Sequence, residues 1–136
     1  MARRILIVGA LAALLGVALG AFGAHGLRPR LSEHMMAVFE TGVRYHLYHA
    51  LGIVVAGLSL AQFSVRYFQY AAWAYLLGIV LFSGSLYTLS VFGNRSLGLI
   101  TPFGGLSFIV GWSFLAWGYW KALRPIDGGT DRLPEK

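Results

Sequence analysis

The 136-residue chain has no cysteine, which excludes disulfides, thiolate metal sites and thiol catalysis. Acidic residues are almost as scarce. Glu33, Glu40, Asp127, Asp131 and Glu135 are the only five, and all lie outside the apolar stretches. Proton-coupled transporters and small multidrug exporters generally place a carboxylate inside a helix, and this chain does not. Charged residues make up 12% of the chain, against the ~25% usual in a soluble domain. There is no nucleophile-elbow motif. No carboxylate is placed to orient His49 as a base for Ser85, so a hydrolytic pair is not supported and no enzymatic activity is expected.

What fills the chain instead is apolar. Hydrophobic residues make up 57% of it and the mean hydropathy is +0.67. Four stretches, about 5–23, 45–62, 67–92 and 99–120, hold no Asp, Glu, Lys or Arg. Each is close to or above the ~18–20 residues that a helix needs to cross ~30 Å of hydrocarbon. Backbone in lipid must satisfy its own hydrogen bonds, so the spans are helices or strands of a closed barrel. A barrel would show alternating ~10-residue segments, and none occur. The expected fold is all-α and integral to the membrane: a bundle of four transmembrane helices in up-down order over residues 1–124. A polar tail, 125–136, is expected to be disordered.

The net charge of +6 suggests nucleic acid at first sight, but the basic residues flank the apolar stretches. They read as topology determinants, and no nucleic-acid partner is expected. Arg3, Arg4, Arg66, Lys121 and Arg124 fall on one side. Arg28, Arg30, Arg44 and Arg95 fall on the other. This modest bias places both termini in the cytoplasm of a plasma-membrane (inner-membrane) protein. The first stretch has some features of a secretory signal, but its glycines argue for retention. Gly9, Gly16 and Gly23 recur every seven residues with Ala13 and Gly20 between them, and Gly104, Gly111 and Gly118 repeat the spacing in the fourth stretch. Such faces let helices approach closely in lipid. The spacing leaves open whether the two seams meet each other, another helix or a second copy of the chain.

Between the first two spans, Leu31, Met35, Phe39 and Val43 form a stripe at helical spacing, with Ser32 as N-cap. This short amphipathic segment either lies on the membrane surface or extends the second helix. Glu40 and Arg44 are spaced to pair along it. Thr101-Pro102 reads as a cap followed by proline in the first turn of the fourth helix.

The polar residues within the spans are the candidate site. Alternating helix direction brings His25, Tyr45, His49, Ser85, Tyr87 and Thr101 towards the outer third of the membrane. Three roles compete for this cluster: an interhelical hydrogen-bond network, a small-ligand or ion site, and metal or haem ligation by His25 with His46 or His49. The network is the favoured reading, and no cofactor is expected. As function, a binding or accessory protein that presents the cluster to a small ligand or membrane partner is preferred. A small transporter or channel acting as a homo-oligomer comes second, and a haem- or metal-binding protein third.

Four ordered motifs carry a resemblance. They are Gly20-Ala21-Phe22-Gly23-Ala24-His25, then Thr41-Gly42 with Tyr45 and His49, then Ser83-Gly84-Ser85-Leu86-Tyr87, then Thr101-Pro102 with Gly104-Gly105. Together they resemble the YgdD-like family of small membrane proteins, a domain of unknown function that includes transmembrane protein 256. The likeness runs from Ile5 to Trp120. It implies a four-helix membrane protein and brings no established activity, substrate or cofactor.

Overall fold

The computed structural model describes residues 1–124, with Arg95 described by its backbone alone. Four helices long and apolar enough to cross a membrane run up and down: α1 (Ala2–Leu27), α2 (Glu33–Phe63), α3 (Arg66–Phe92) and α4 (Thr101–Ala122). There are no strands among the described residues. This is the all-α membrane bundle expected from the apolar stretches. The last turn of α1 (Gly23–Leu27) and the middle of α3 (Ile79–Ser83) are wound as π-helix. The expected tail, 125–136, lies outside the described residues.

The links are short and each has a local cause. Ser32 caps α2, its hydroxyl accepting from the Met35 amide at 3.3 Å. Between α2 and α3, Ser64 turns the chain in the left-handed region at φ 55°. Between α3 and α4, Gly93 does the same at φ 70°, and the Asn94 side chain accepts from the Ser96 amide at 3.2 Å to start the 3₁₀ turn Arg95–Leu99. Thr101 is not the expected cap. It already lies within α4, and its hydroxyl is directed to α3 instead.

The amphipathic segment is the start of α2. At 1.5 Å per residue this 31-residue helix is about 46 Å long, well over ~30 Å of hydrocarbon, so its first turns project beyond the core. The buried face of those turns is Met36 and Phe39, packed with Leu27 against the end of α1, while Met35 is only half-buried. The expected Glu40–Arg44 pair does not form. Glu40 is instead 3.7 Å from Arg28, which the turn after α1 brings alongside α2.

The two glycine seams do not meet each other, and neither lies on the outer surface. Each receives a neighbouring helix of the same chain. The α1 seam faces α2: a Cβ on Gly9 would lie 2.8 Å from Val54 Cγ2, on Gly16 2.7 Å from Leu47 Cδ2, on Gly20 3.2 Å from Val43 Cγ1, and on Gly23 2.7 Å from Phe39 Cε1. The α4 seam faces α3. Gly104 meets Phe82, Gly111 meets Tyr75 and Gly118 meets Phe68. The three aromatics repeat every seven residues, as do the three glycines, so rings enter holes in antiparallel register. Tyr75 and Phe68 have no solvent-exposed surface. In lipid there is little hydrophobic drive between helices, and close packing of this kind is the main source of association.

Candidate functional site

His49 is buried in α2 on the side that meets α4. Its Nδ1 is 2.7 Å from the Tyr45 carbonyl oxygen one turn back. A carbonyl only accepts, so Nδ1 carries the proton. Nε2 then presents its lone pair, and the Trp112 indole N–H of α4 donates to it at 3.2 Å. The ring stacks on Phe108 with centroids 3.4 Å apart and planes within 8°. His49 is therefore held as one neutral tautomer with both nitrogens engaged.

His46, three residues before His49, meets α3 instead of α4. Its Nδ1 is 3.2 Å from the Tyr87 hydroxyl of α3, whose ring passes over Gly42 and packs on Phe39 with centroids 4.9 Å apart. The signal was in the sequence. Gly42 and His46 are one turn apart, so the space at the first leads a ring from α3 to the second.

Ser85 and Thr101 join α3 to α4 at 2.8 Å. The Ser85 hydroxyl donates to the Phe82 carbonyl, so the Thr101 hydroxyl is the donor between them. Two further ties were not anticipated. Tyr119 donates to Ser59 at 2.6 Å, since the Ser59 proton is directed to the Val55 carbonyl, and Ser107 donates to the Ala74 carbonyl at 2.8 Å. Serine is common in membrane helices, and nothing in the spacing distinguishes these two.

Of the expected cluster, Tyr45, His49, Ser85, Tyr87 and Thr101 are distributed over three interhelical contacts. His25 is exposed in the π turn of α1 and joins none of them. Among the described residues no group of three His, Asp or Glu side chains is assembled to hold a metal ion, and His25, His46 and His49 do not converge. His49 has no free nitrogen to offer a ligand. Ser85 is bonded to Thr101 and Phe82, away from any base.

Two members of the cluster, Tyr45 and His49, line a groove. Between α2 and α4 lies an open hollow of about 780 Å³, walled by Tyr45, Tyr48, Phe82, Phe108, Ile109 and Trp112, with His49 and Gly105 below and Arg44 at one rim. Its volume falls within the ~300–1,000 Å³ typical of small-ligand sites. Tyr45 packs on Phe82 at 4.7 Å between centroids, and the π turn of α3 carries Phe82 into this position beside Gly104. Such bulges recur at functional sites. Arg44 has no ion pair among the described residues, because Glu40 is turned to Arg28. In the sequence Arg44 stands among the flanking cations of one side, and Phe82, Phe108 and Trp112 carry no motif. These aromatics lie too far apart in the chain for any motif to link them.

The geometry defines a small polytopic α-helical membrane protein, glycine-packed and hydrogen-bonded, with an aromatic groove opening between two spans. Residues 19–105 match the family described as "Protein of unknown function (DUF423)", and the chain belongs to that family. Its relatives are named as membrane proteins. It is 52% identical over 108 residues to UPF0382 membrane protein YwdK of Bacillus subtilis, covering 79% of this chain and 88% of the relative. It is 47% identical over 110 residues to UPF0382 membrane protein SH2409 of Staphylococcus haemolyticus, covering 81% and 89%. It is 44% identical over 116 residues to UPF0382 membrane protein SSP2132 of Staphylococcus saprophyticus, covering 85% and 96%. No solved structure matches the chain. The resemblance carried by the four motifs, to a family of small membrane proteins of unknown function, is thus borne out.

Proposed function

We propose that this multi-pass membrane protein is a binding protein rather than an enzyme, and that the groove between α2 and α4 is its binding site for a small membrane-dissolved ligand. The observation that carries this reading is the construction of the floor. A histidine with both nitrogens satisfied and an aromatic stack beneath it holds α2 and α4 at a fixed separation while their rims stay apart. The polar cluster serves as a strut under a concave apolar surface, and affinity comes from the aromatic walls. The flanking cations support a plasma-membrane protein with both termini in the cytoplasm. The groove then faces the outer leaflet.

A photo-crosslinking residue at Tyr48, on the groove wall, tests the reading. Leu14 on α1, which is 66% exposed on a face without a groove, is the control position. After irradiation of native membranes, Tyr48 is expected to give one discrete small-molecule adduct by intact mass, and Leu14 the mixture of bulk lipid. The same mixture at both positions, or a chain-to-chain adduct at Tyr48, overturns the proposal.

A further inference from the structure

The groove has chemical polarity along its length, and this names its occupant. One end is a cation. Arg44 is exposed on α2 and has no ion pair among the described residues, although a carboxylate stands one turn away on the same helix, because Glu40 is committed to Arg28 at 3.7 Å. Below Arg44 the walls are aromatic and aliphatic down to Trp112 and Ile109. The level of Arg44 follows from helix geometry. From Tyr45 to Phe63, α2 covers 19 residues, or about 28 Å at 1.5 Å per residue. That matches ~30 Å of hydrocarbon, so Arg44 stands at its edge, at the depth of lipid phosphates. The Trp112 indole is bonded to His49, five residues or about 8 Å along α2 from Arg44, and so lies in the upper hydrocarbon, beside an acyl chain.

Resting on the reading of the groove as a binding site, we propose that its occupant is an anionic phospholipid of the bilayer. Its phosphate is held by the Arg44 guanidinium, and one acyl chain lies along Tyr45, Phe108 and Trp112. A guanidinium binds phosphate oxygens in a bidentate fork. An open groove at this depth admits acyl chains from the side, which a free phosphate ion does not need. Selection between headgroups comes from Arg44, the charged side chain that lines the groove among the described residues.

Trp112 reports occupancy directly. The protein carries Trp73→Phe, Trp117→Phe and Trp120→Phe, all at lipid-exposed positions, so that Trp112 is the sole emitter. It is placed in phosphatidylcholine vesicles containing phosphatidylglycerol or phosphatidylcholine brominated in mid-chain, at equal mole fraction. Brominated phosphatidylglycerol is expected to quench Trp112 with about five-fold higher apparent affinity, as one cation at the surface provides. Arg44→Gln should bring the two lipids level. Arg30→Gln, which removes a charge from the same end outside the groove, should leave the preference intact. Equal quenching by both lipids in the parent protein overturns the headgroup assignment while leaving a discrete adduct at Tyr48 unexplained by it, so the two proposals fail separately. A preference that survives Arg44→Gln, or one that Arg30→Gln abolishes equally, also overturns it. If Arg44→Gln fails to reconstitute, Arg44→Lys keeps the charge and must retain most of the preference.

Discussion

Replacing Gly111 by alanine tests the packing directly. A Cβ at that position would lie 2.6 Å from Tyr75 Cε1 and 2.7 Å from Cδ1. The ring cannot retreat, because its other side faces Gly52 of α2, where a Cβ would be only 3.1 Å away. Tyr75 is thus clamped between two glycines on two helices, with no exposed surface. One added methyl must push α4 from α3 or α3 from α2, by close to an ångström. Overpacking of this kind costs about 1–3 kcal/mol. Gly105→Ala on the same helix is the control. Its Cβ would lie 3.8 Å from Phe82 Cδ2, an ordinary contact, and alanine gains up to about 1 kcal/mol in helix propensity. The two variants should therefore move the unfolding temperature in detergent in opposite directions, or at least leave Gly105→Ala unchanged. Tyr75→Leu should restore much of the loss in Gly111→Ala, because it removes the atoms struck. Equal melting of the two alanine variants, or no coupling between positions 75 and 111, would refute the ring-in-hole packing.

The remaining expectations follow from single contacts. Tyr87→Phe removes the hydroxyl that meets His46 and should cost about 0.6–2 kcal/mol, whereas Tyr45→Phe, whose hydroxyl has no partner among the described residues, should cost nothing measurable by the same melt. His49→Leu and Trp112→Phe break one and the same bond, so the loss in their double variant should fall short of the sum of the two single losses; strictly additive losses would contradict the bond. Ser64→Gly relieves the left-handed backbone at φ 55° and should stabilise by a few tenths to about 1 kcal/mol. A cysteine at Ser32 should react with an impermeant maleimide in intact cells and one at Ser64 should not; the reverse pattern would invert the proposed orientation.

The helices were legible because lipid leaves the backbone no alternative and because their composition is uninterrupted. The start of α2 was legible only as a pattern. Its stripe was read through Met35, but the structure buries Met36, since the end of α1 covers one side of the helix and not the other. The glycine seams were visible as a heptad spacing. Their partners were not, although Phe68, Tyr75 and Phe82 carry the same spacing on α3. That match can be read only once antiparallel register sets each ring opposite a glycine. Of the polar residues, His25 joins no interhelical contact, and His46, read only as a metal candidate, makes one with Tyr87. Depth follows from residue number, but which face of α2 looks at α3 and which at α4 depends on helix rotation. His46 and His49, three residues apart, fall on either side of that division. The Arg28–Glu40 pair was missed for a related reason: local spacing favoured Arg44, and the turn after α1 brings a competitor that spacing cannot show.

The ties between helices are unevenly placed, and this bears on what the groove can do. Side-chain hydrogen bonds join α2 to α3 through His46 and Tyr87, and α2 to α4 through His49 with Trp112 and Ser59 with Tyr119. They join α3 to α4 through Ser85 with Thr101 and through Ser107. The contact of α1 with α2 rests mainly on its glycine face. The groove is built entirely within α2–α4, whose helices these directional bonds tie to one another. A binding surface gains affinity when its walls are ordered before the ligand arrives. The bond of His49 to Trp112 and its stack on Phe108 supply that order beneath the groove.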